Sequence, residues 1–296
     1  MKKNNIKLLS KISEIETNYS AFILDIWGVL WDGLEAYDDA IRSLIKLKEK
    51  NKPVILLSNA PRRSKTVEKR LEKIGIKKDY YTKIISSGEI CRKKFLQNTN
   101  YLSEIGNIFY FIGQKQDKDL VENLPLLETE SIQKSNFLLV CGTRRFEDSL
   151  EIYKNELDTG LSLKIPLICA NPDKVVVRKN GNRLLCAGEF ANYYKRREGK
   201  VFYFGKPYLD VYLECTNFFK SINTNICKKN ILVIGDSIET DIRGANQYGL
   251  SSVLVTGGIH ANQFSKDSKD ISIEKAQLIC KEYSEYPTFI IEKFIF

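Results

Sequence analysis

The sequence predicts an α/β protein with two units: a Rossmann-like core built on a parallel sheet, and a second α/β unit inserted into it. Short apolar runs of strand length alternate with segments that carry apolar residues at helical spacing, a pattern typical of parallel sheets covered by helices. From about residue 87 the pattern starts again. The chain of 296 residues is long enough for a core and a second unit of about 100 residues.

Five elements are predicted before residue 87. The apolar runs indicate strands at 22–24, 54–57 and 81–85, and the apolar stripes indicate helices around 37–45 and 67–74. The second helix is expected to end at Gly75, because glycine readily takes the left-handed conformation that terminates a helix.

The second unit is predicted at 87–199, and the core at 1–86 together with 200–296. Ser86 and Glu89 suit a capping box at the start of the first helix of the second unit. Its other predicted elements are strands at 108–112, 137–141 and 167–169, a helix around 150–157, and a hairpin of 175–177 with 184–185 around Asn180 and Gly181. The chain is expected to return to the core with a strand at 201–204.

The last part of the core is predicted to contain two more strands and a helix. The strands lie at 231–235 and 253–255, and the helix covers 242–248 and stops at Gly249. The core therefore has the alternation that forms a parallel sheet, in which functional residues lie at the carboxyl ends of the strands.

The net charge of +9, from 46 Lys and Arg against 37 Asp and Glu, raises the question of a nucleic-acid partner. The basic residues are spread over ordinary helix faces, with dense patches only at 62–65 and 195–197. We interpret them as a solvated surface. Arg62 or Arg63 remains a candidate for attracting a phosphorylated substrate.

The sequence also bears on location and cysteine chemistry. No apolar run of about 20 residues could span a membrane, and the first residues do not resemble a signal peptide, so we expect a cytoplasmic protein. Seven cysteines without a C-x-x-C pair favour reduced, buried thiols over disulfides or a zinc site.

Polar residues follow four of the predicted strands. In chain order they are Asp25, Ser58 with Asn59, Lys206, and Asp236 with Asp241 five positions later. Taken singly, each could be a helix cap or a solvated charge. Because the carboxyl ends of parallel strands meet at one edge of a sheet, we expect these side chains to share one crevice.

This order of motifs resembles that of the haloacid dehalogenase superfamily of phosphoryl-transfer hydrolases. The motifs are the Asp25 strand, Ser58-Asn59-Ala60-Pro61, Gly205-Lys206-Pro207, and Gly235-Asp236 followed by Asp241. The Gly-Lys-Pro form is similar to the class IIA subgroup of sugar-phosphate and nitrophenyl phosphatases, whose large cap is inserted between the second and third motifs. Residues 169–173 and 185–189 also match the cap of that subgroup. The resemblance implies that the two predicted units are a catalytic core and a cap.

The resemblance implies a magnesium site among the carboxylates. Mg²⁺ would be held by Asp25, Asp236 and the main-chain carbonyl of Trp27, with phosphate oxygen and water completing an octahedron. Asp241 would support these ligands from the next layer.

The resemblance also implies a phosphate site and a nucleophile. Asp25 would attack phosphorus and form an aspartyl-phosphate that water later cleaves. Ser58, Asn59 and the backbone amides that follow would bind the phosphoryl oxygens. Lys206 would neutralise charge that otherwise repels Asp25 from an anionic substrate.

Trp27 departs from the pattern of these phosphatases, which have a second Asp at this position. That Asp protonates the leaving alkoxide and then activates water, whereas an indole can do neither. General acid–base catalysis is worth roughly 10²- to 10⁴-fold, so activity is expected to be low or restricted to good leaving groups unless another residue substitutes.

His260, the only histidine, is the candidate substitute for the missing acid and base. It follows the strand at 253–255, at the carboxyl edge of the core. An ordinary loop histidine is the plainer interpretation. A single histidine excludes a histidine-rich metal site, and no G-x-S-x-G nucleophile motif is present.

Three functions remain open. The first is a Mg²⁺-dependent phosphatase of small phosphorylated metabolites, with a cap that excludes bulk water. The second is hydrolysis of carbon–halogen bonds, since the dehalogenases of the superfamily also carry an aromatic residue at the position of Trp27. Asp236 argues against this function, because it is a predicted Mg²⁺ ligand and dehalogenation does not require Mg²⁺. The third is a non-catalytic protein that binds a phosphorylated metabolite. No nucleic acid or membrane partner is expected, and a homodimer is one option for the oligomeric state.

Overall fold

The structure is a computed structural model that describes residues 6–97, 105–177, 182–265 and 272–296. Its strands are β1 (Lys7–Leu8), β2 (Ala21–Leu24), β3 (Val54–Ser58), β4 (Lys83–Ser86), β5 (Ile108–Ile112), β6 (Leu127–Glu128), β7 (Phe137–Val140), β8 (Leu167–Cys169), β9 (Val175–Val177), β10 (Arg183–Leu185), β11 (Val201–Tyr203), β12 (Ile231–Gly235), β13 (Ser251–Val255) and β14 (Phe289–Ile291).

Helices connect most of these strands. The α-helices are α1 (Asp38–Glu49), α2 (Ser64–Lys73), α3 (Ser87–Leu96), α4 (Lys154–Ser162), α5 (Ala187–Lys195), α6 (Leu209–Ile222), α7 (Arg243–Tyr248), α8 (Ala261–Ser265) and α9 (Ile273–Tyr283). A π-helical turn at Ile238–Ile242 leads into α7. Short 3₁₀ helices lie at Ile12–Glu14, Glu16–Asn18, Lys78–Tyr80, Lys115–Val121, Ile132–Lys134, Leu150–Tyr153 and Lys228–Asn230.

The first sheet has seven strands in the order β1-β14-β13-β12-β2-β3-β4, and its strands run parallel. Strand β2 lies between β12 and β3, where Ile23 is level with Val233 and Ile55. All four residues of β2 are buried, as expected for a parallel sheet covered on both faces. The residues that follow β2, β3 and β12 therefore meet at one edge.

The second sheet has five parallel strands in the order β11-β8-β7-β5-β6. Strands β9 and β10 form a separate antiparallel hairpin. One buried apolar cluster extends from Ile55 of the first sheet to Leu139 of the second, so the two units are packed against each other. The α/β class with an inserted second sheet is confirmed.

One expected strand lies in a different sheet. Residues 201–204 are predicted to return the chain to the core, but β11 pairs with β8 of the second sheet, with Val201 level with Leu167. A short apolar run carries no signal that selects one sheet edge over another, because the pairing depends on tertiary contacts. Lys206 is therefore delivered from the edge of the second sheet. The division of the chain at 86 and 200 stays a prediction.

Other elements agree with expectation within a few residues. Strand β4 begins at Lys83, two residues later than expected, and Ser86 accepts the backbone N–H of Glu89, as a helix cap does. The expected hairpin is present as β9 and β10, while its turn at Asn180 and Gly181 lies outside the described residues.

All seven cysteines are free; six are buried and Cys227 is half-buried. Within the described ranges, no helix combines the length and the apolar character needed to cross a bilayer. The expected cytoplasmic location stays a prediction.

Candidate active site

Asp25 lies at the end of β2, where the chain turns sharply. Its backbone N–H donates to the carbonyl of Ile234 at 2.8 Å, which continues the pairing with β12. Gly28 then takes φ +77°, and a Cβ atom there would lie 2.0 Å from Oδ2 of Asp236. Glycine is required for the backbone conformation and for the close approach of Asp236.

Three buried carboxylates meet at this edge. Oxygen atoms of Asp25, Asp236 and Asp241 all lie within 4.8 Å of one another. Burial raises the pKa of Asp25 to about 7, and Asp241 adds to the rise while Lys206 opposes it. Burial, followed by repulsion from Asp25 and Asp241, raises the pKa of Asp236 well above its ordinary value. The cluster is therefore a place where negative charge is costly without a cation.

Lys206 supplies one cation to the cluster. Its Nζ lies 2.5 Å from Oδ1 of Asp25 and 2.8 Å from Oδ1 of Asp241, and only 2% of the residue is exposed. Burial lowers the pKa of Lys206, but Asp241 and Asp25 outweigh it and hold that pKa well above the ordinary value. The ammonium group stays charged and bridges two carboxylates.

The donor set fits a divalent cation. Three carboxylates face one lysine, which leaves two negative charges uncompensated among these four side chains when all are ionised. Oδ2 of Asp236 accepts the N–H of Ile259 at 2.7 Å, and a Cβ on Gly258 would lie 2.2 Å from the same oxygen. Hard oxygen ligands of this kind are those that Mg²⁺ and Ca²⁺ prefer.

Asp241 is held at the start of the helical segment after β12. Its Oδ2 accepts the backbone N–H of Ser237 at 3.1 Å, and the backbone N–H of Asp241 donates to the Ser237 carbonyl at 3.0 Å. A Cβ on Gly235 would lie 2.1 Å from Cγ of Asp241, which explains the glycine before Asp236. These contacts suit a supporting role beside the other two carboxylates.

Ser58 and Asn59 follow β3 and differ in their contacts. Ser58 is half-buried, and its Oγ accepts the N–H of Ala60 at 3.1 Å. The Asn59 side chain is buried: Oδ1 accepts the N–H of Lys206 at 2.7 Å, and Nδ2 donates to Oδ1 of Asp173 at 2.8 Å. Asn59 therefore connects the second motif to the third and to the second unit. Phosphate binding by Ser58, Asn59 and Lys206 stays a prediction.

Trp27 reaches out of the first motif to the second unit. Its indole Nε1–H donates to the carbonyl of Val177 in β9 at 2.8 Å, across 150 residues of sequence. The ring packs edge to face against Trp31 with 5.0 Å between centroids. At the position where the resemblance to the phosphatases implies an acid, this chain has a side chain that joins the two units.

His260 lies beside the carboxylate cluster rather than in the crevice. Its Nε2 accepts the backbone N–H of Ile238 at 3.3 Å, and its Nδ1 lies 2.5 Å from Oε1 of Gln263. Burial lowers the pKa of His260, so the ring is neutral at neutral pH. Because Nε2 accepts a hydrogen bond, the proton of the neutral ring lies on Nδ1. These contacts favour the plainer interpretation, in which His260 orients the segment between Asp236 and Asp241.

A cavity of about 170 Å³ opens above Asp25 and is lined by both units. Arg62 lines it but is not free, because its Nη2 lies 2.7 Å from Oδ1 of Asp117 in the second unit. Burial raises the pKa of Asp117 to about 6, although Arg62 opposes the rise. The expected attraction of substrate by Arg62 therefore competes with an existing ion pair.

Asp173 lines the same cavity but is not among the site residues that the sequence predicts. Burial raises its pKa to about 6, against the lowering effects of Lys206 and Asn59. Two signals in the sequence mark it: it follows β8, and it belongs to the segment 169–173 that resembles the cap of the class IIA subgroup. Neither signal places Asp173 beside Asn59, because that contact depends on how the two units pack.

Comparisons with known proteins identify the families that this chain resembles. A family model described as haloacid dehalogenase-like hydrolase matches residues 22–126, and a second HAD-hydrolase-like model matches residues 203–285. The curated sugar-phosphatase AraL of Bacillus subtilis is 24% identical over 247 residues, which are 81% of this chain and 84% of that protein.

Two solved structures share the fold over nearly the whole chain. A haloacid dehalogenase-like hydrolase from Brucella suis is 25% identical with a TM-score of 0.83, and the match covers 97% of this chain and 100% of that one. A possible sugar phosphatase from Cytophaga hutchinsonii is 23% identical with a TM-score of 0.78, over 98% of both chains.

The fold and the carboxylate–lysine site thus define a hydrolase with a Rossmann-like parallel-sheet core, whose candidate active-site edge faces an inserted second unit. The chain belongs to the haloacid dehalogenase-like hydrolases.

Proposed function

We propose that the protein is a Mg²⁺-dependent phosphatase of small phosphorylated metabolites that acts through an aspartyl-phosphate on Asp25. The observation that carries the proposal is the buried ammonium group of Lys206, 2.5 Å from Asp25 and next to two further carboxylates. A carboxylate nucleophile can approach a phosphate dianion only where fixed positive charge offsets the repulsion. Lys206 and a divalent cation together would supply that charge.

The reaction has two steps at Asp25. A carboxylate oxygen of Asp25 attacks phosphorus, the bond to the leaving oxygen breaks, and an aspartyl-phosphate forms. Water then attacks the phosphorus of this intermediate, which releases inorganic phosphate and restores the carboxylate. Asp25, Asp236 and the Trp27 carbonyl would hold Mg²⁺, which supplies charge neutralisation at the phosphoryl group. Lys206 favours the ionised form of Asp25 and orients it, and Ser58 would donate to a phosphoryl oxygen.

The substrate class is narrowed by the relatives and by Trp27. One similar protein is named a sugar-phosphatase and another a possible sugar phosphatase, which supports phosphorylated sugars as the first class to test. Trp27 cannot protonate a leaving alkoxide, so aryl and acyl phosphates, whose leaving groups need little protonation, are expected to react faster than alkyl phosphates. The rates with sugar phosphates and with aryl and acyl phosphates can be measured together on one panel of substrates.

The experiment is a panel of sugar, acyl and aryl phosphates assayed with MgCl₂ and with EDTA, using wild type and Asp25→Asn. Wild type should hydrolyse part of the panel only with Mg²⁺, and Asp25→Asn should lower the rate by about 10⁴-fold or more while the thermal unfolding curve is retained. The matched control is Asp210→Asn, the same change at an exposed position of α6, which should retain activity.

The other functions predict different results from the same panel. Residual turnover near wild type in Asp25→Asn, without deamidation of the new Asn, would contradict the nucleophile. Metal-independent release of halide from 2-haloacids would indicate a dehalogenase. Phosphate binding without turnover of any substrate would indicate a binding protein.

A further inference from the structure

The β9–β10 hairpin pairs with neither sheet. Among the strands that the structure describes, β9 and β10 pair only with each other, with Val175 level with Leu185 and Val176 level with Leu184. Three of these residues, Val176, Leu184 and Leu185, line the cavity above Asp25. The hairpin is thus a wall of the active-site cavity whose position depends on contacts other than sheet pairing.

The segment that leads into β9 contacts the core through two polar side chains. Asp173 accepts the Nδ2–H of Asn59 at 2.8 Å, and Lys174 Nζ lies 2.6 Å from Oε1 of Glu239. The second contact joins two exposed side chains, and surface ion pairs of this kind contribute little. Asn59 belongs to the second motif, and Glu239 lies between the two aspartates of the fourth.

Trp27 adds the third contact, at the far end of β9. Its indole N–H donates to the Val177 carbonyl at 2.8 Å, and the ring itself lines the cavity beside Trp31. The five residues 173–177 are therefore held by one residue from each of three active-site motifs. Of the three, only Trp27 holds the hairpin strand itself rather than the segment before it.

We propose that Trp27 is a positioning residue that holds the β9–β10 hairpin closed over the active-site cavity. The position two residues after Asp25, where the resemblance implies a proton donor, then serves closure of the site. Hairpin opening must break the Trp27–Val177 hydrogen bond, so this bond sets part of the equilibrium between closed and open cavity. A neutral hydrogen bond changes such an equilibrium by about two- to twelve-fold.

The test is hydrogen–deuterium exchange of the β9 and β10 amides in Trp27→Phe, which keeps one aromatic ring in the cavity wall but removes the indole N–H together with the second ring. Trp31→Phe is the matched control: its Nε1 is buried and makes no hydrogen bond to any residue that the structure describes. Exchange in the hairpin should accelerate about two- to twelve-fold in Trp27→Phe and should not accelerate in Trp31→Phe. Equal exchange in the two variants, whether fast or slow, would overturn the proposal.

A second measurement needs no change at Trp27. The chain has two tryptophans, so Trp31→Phe leaves the Trp27 indole as a single ¹⁵N-labelled side-chain signal. Its N–H should exchange with solvent several-fold more slowly than that of a free indole. Exchange at the free rate would contradict the hydrogen bond even if Trp27→Phe failed to fold.

A kinetic readout separates positioning from stability and rests on the proposed phosphatase function. With 4-nitrophenyl phosphate and Mg²⁺, Trp27→Phe should raise KM by about two- to twelve-fold and change kcat less, because the closed complex is weakened. A fall in kcat alone would count against closure. Absence of turnover in wild type would contradict the phosphatase proposal and would leave the exchange test to decide the role of Trp27.

Discussion

At the scale of single residues, the three carboxylates of the site differ in what neutralises them. Asp25 and Asp241 each contact the ammonium group of Lys206. Asp236 accepts a backbone N–H from Ile259 and forms no ion pair with any residue in the described ranges. A divalent cation in the cluster should therefore interact most strongly with Asp236.

The different contacts of Asp236 and Asp241 predict which substitution weakens Mg²⁺ binding more. Asp236→Asn should weaken Mg²⁺ binding by more than about 100-fold, whereas Asp241→Asn should weaken it by about ten-fold, because a supporting carboxylate acts through the ligands. Calorimetric titration of both variants measures this, with thermal unfolding in EDTA as the check on folding. Equal losses would contradict the order.

Trp27→Asp tests the missing proton donor. The new carboxyl group should raise the hydrolysis of alkyl phosphates by about 100-fold relative to wild type, while aryl phosphates gain little. The ratio of the two rates is the measurement, and a burst followed by a slow steady rate in wild type would show that the aspartyl-phosphate accumulates.

His260→Ala is the companion to Trp27→Asp. If wild type hydrolysed alkyl and aryl phosphates equally fast, and His260→Ala stopped only the alkyl reaction, His260 would be the acid. The hydrogen bonds from His260 to Ile238 and Gln263 instead predict a similar loss with both kinds of substrate.

At the scale of elements, the turns after β2 and β12 are shaped by glycine so that carboxylates can lie against the backbone. Gly28 and Gly235 would each place a Cβ atom about 2 Å from an aspartate side chain. These glycines therefore determine how close Asp236 and Asp241 come to the nucleophile. The chain also offers a control, since Gly249 has the same φ of +77° as Gly28 but nothing within 4 Å of its Cβ position.

Gly28→Ala and Gly249→Ala should separate backbone strain from the loss of the site. Both substitutions pay the left-handed penalty of roughly 1–2 kcal/mol in the free energy of unfolding. Only Gly28→Ala should displace Asp236, and we expect it to weaken Mg²⁺ binding by at least about ten-fold while Gly249→Ala leaves binding unchanged. Urea unfolding and Mg²⁺ titration give the two quantities. Equal Mg²⁺ affinities would show that the turn can relax.

At the scale of the whole molecule, the core sheet and the second sheet are packed together, whereas the β9–β10 hairpin is the part of the second unit that we expect to move. The buried cluster from Ile55 to Leu139 and the Arg62–Asp117 ion pair connect the core sheet to the second sheet. The contacts that hold the β9–β10 hairpin and the segment before it over the cavity include the Trp27 hydrogen bond to Val177, the Asn59–Asp173 hydrogen bond and the Lys174–Glu239 ion pair. We therefore expect substrate to reach the crevice when the β9–β10 hairpin opens.

The buried carboxylates predict how stability depends on pH in the metal-free protein. Folding raises the pKa of Asp25 from its ordinary 3.8 to about 7, so the folded state binds more protons than the unfolded state between these values. The free energy of unfolding should then fall as pH rises from about 5 to 8, by at least about 1 kcal/mol. Urea unfolding in EDTA measures it, and Asp25→Asn should flatten the dependence.

Magnesium should reverse this trend. A cation competes with protons for the carboxylates and binds only the folded state, so added Mg²⁺ should stabilise the protein more at pH 8 than at pH 5. Equal stabilisation at both values would show that the cluster does not bind the ion as carboxylates.

The sequence by itself determined the α/β class and predicted most residues of the candidate site. Strand and helix periodicity are local properties, and Asp25, Ser58 and Asp236 were identified because each follows an apolar strand. The carboxyl ends of parallel strands share one edge of a sheet, so the sequence predicts that these residues lie close together.

Only the tertiary structure decided the contacts between segments far apart in the chain. It placed β11 in the second sheet, joined Asp173 to Asn59, and turned Trp27 towards Val177. No local pattern encodes these choices, because each depends on which surfaces face each other after the two sheets have packed. The sequence therefore specified the chemistry at the strand ends, and the packing of the two units specified what closes over it.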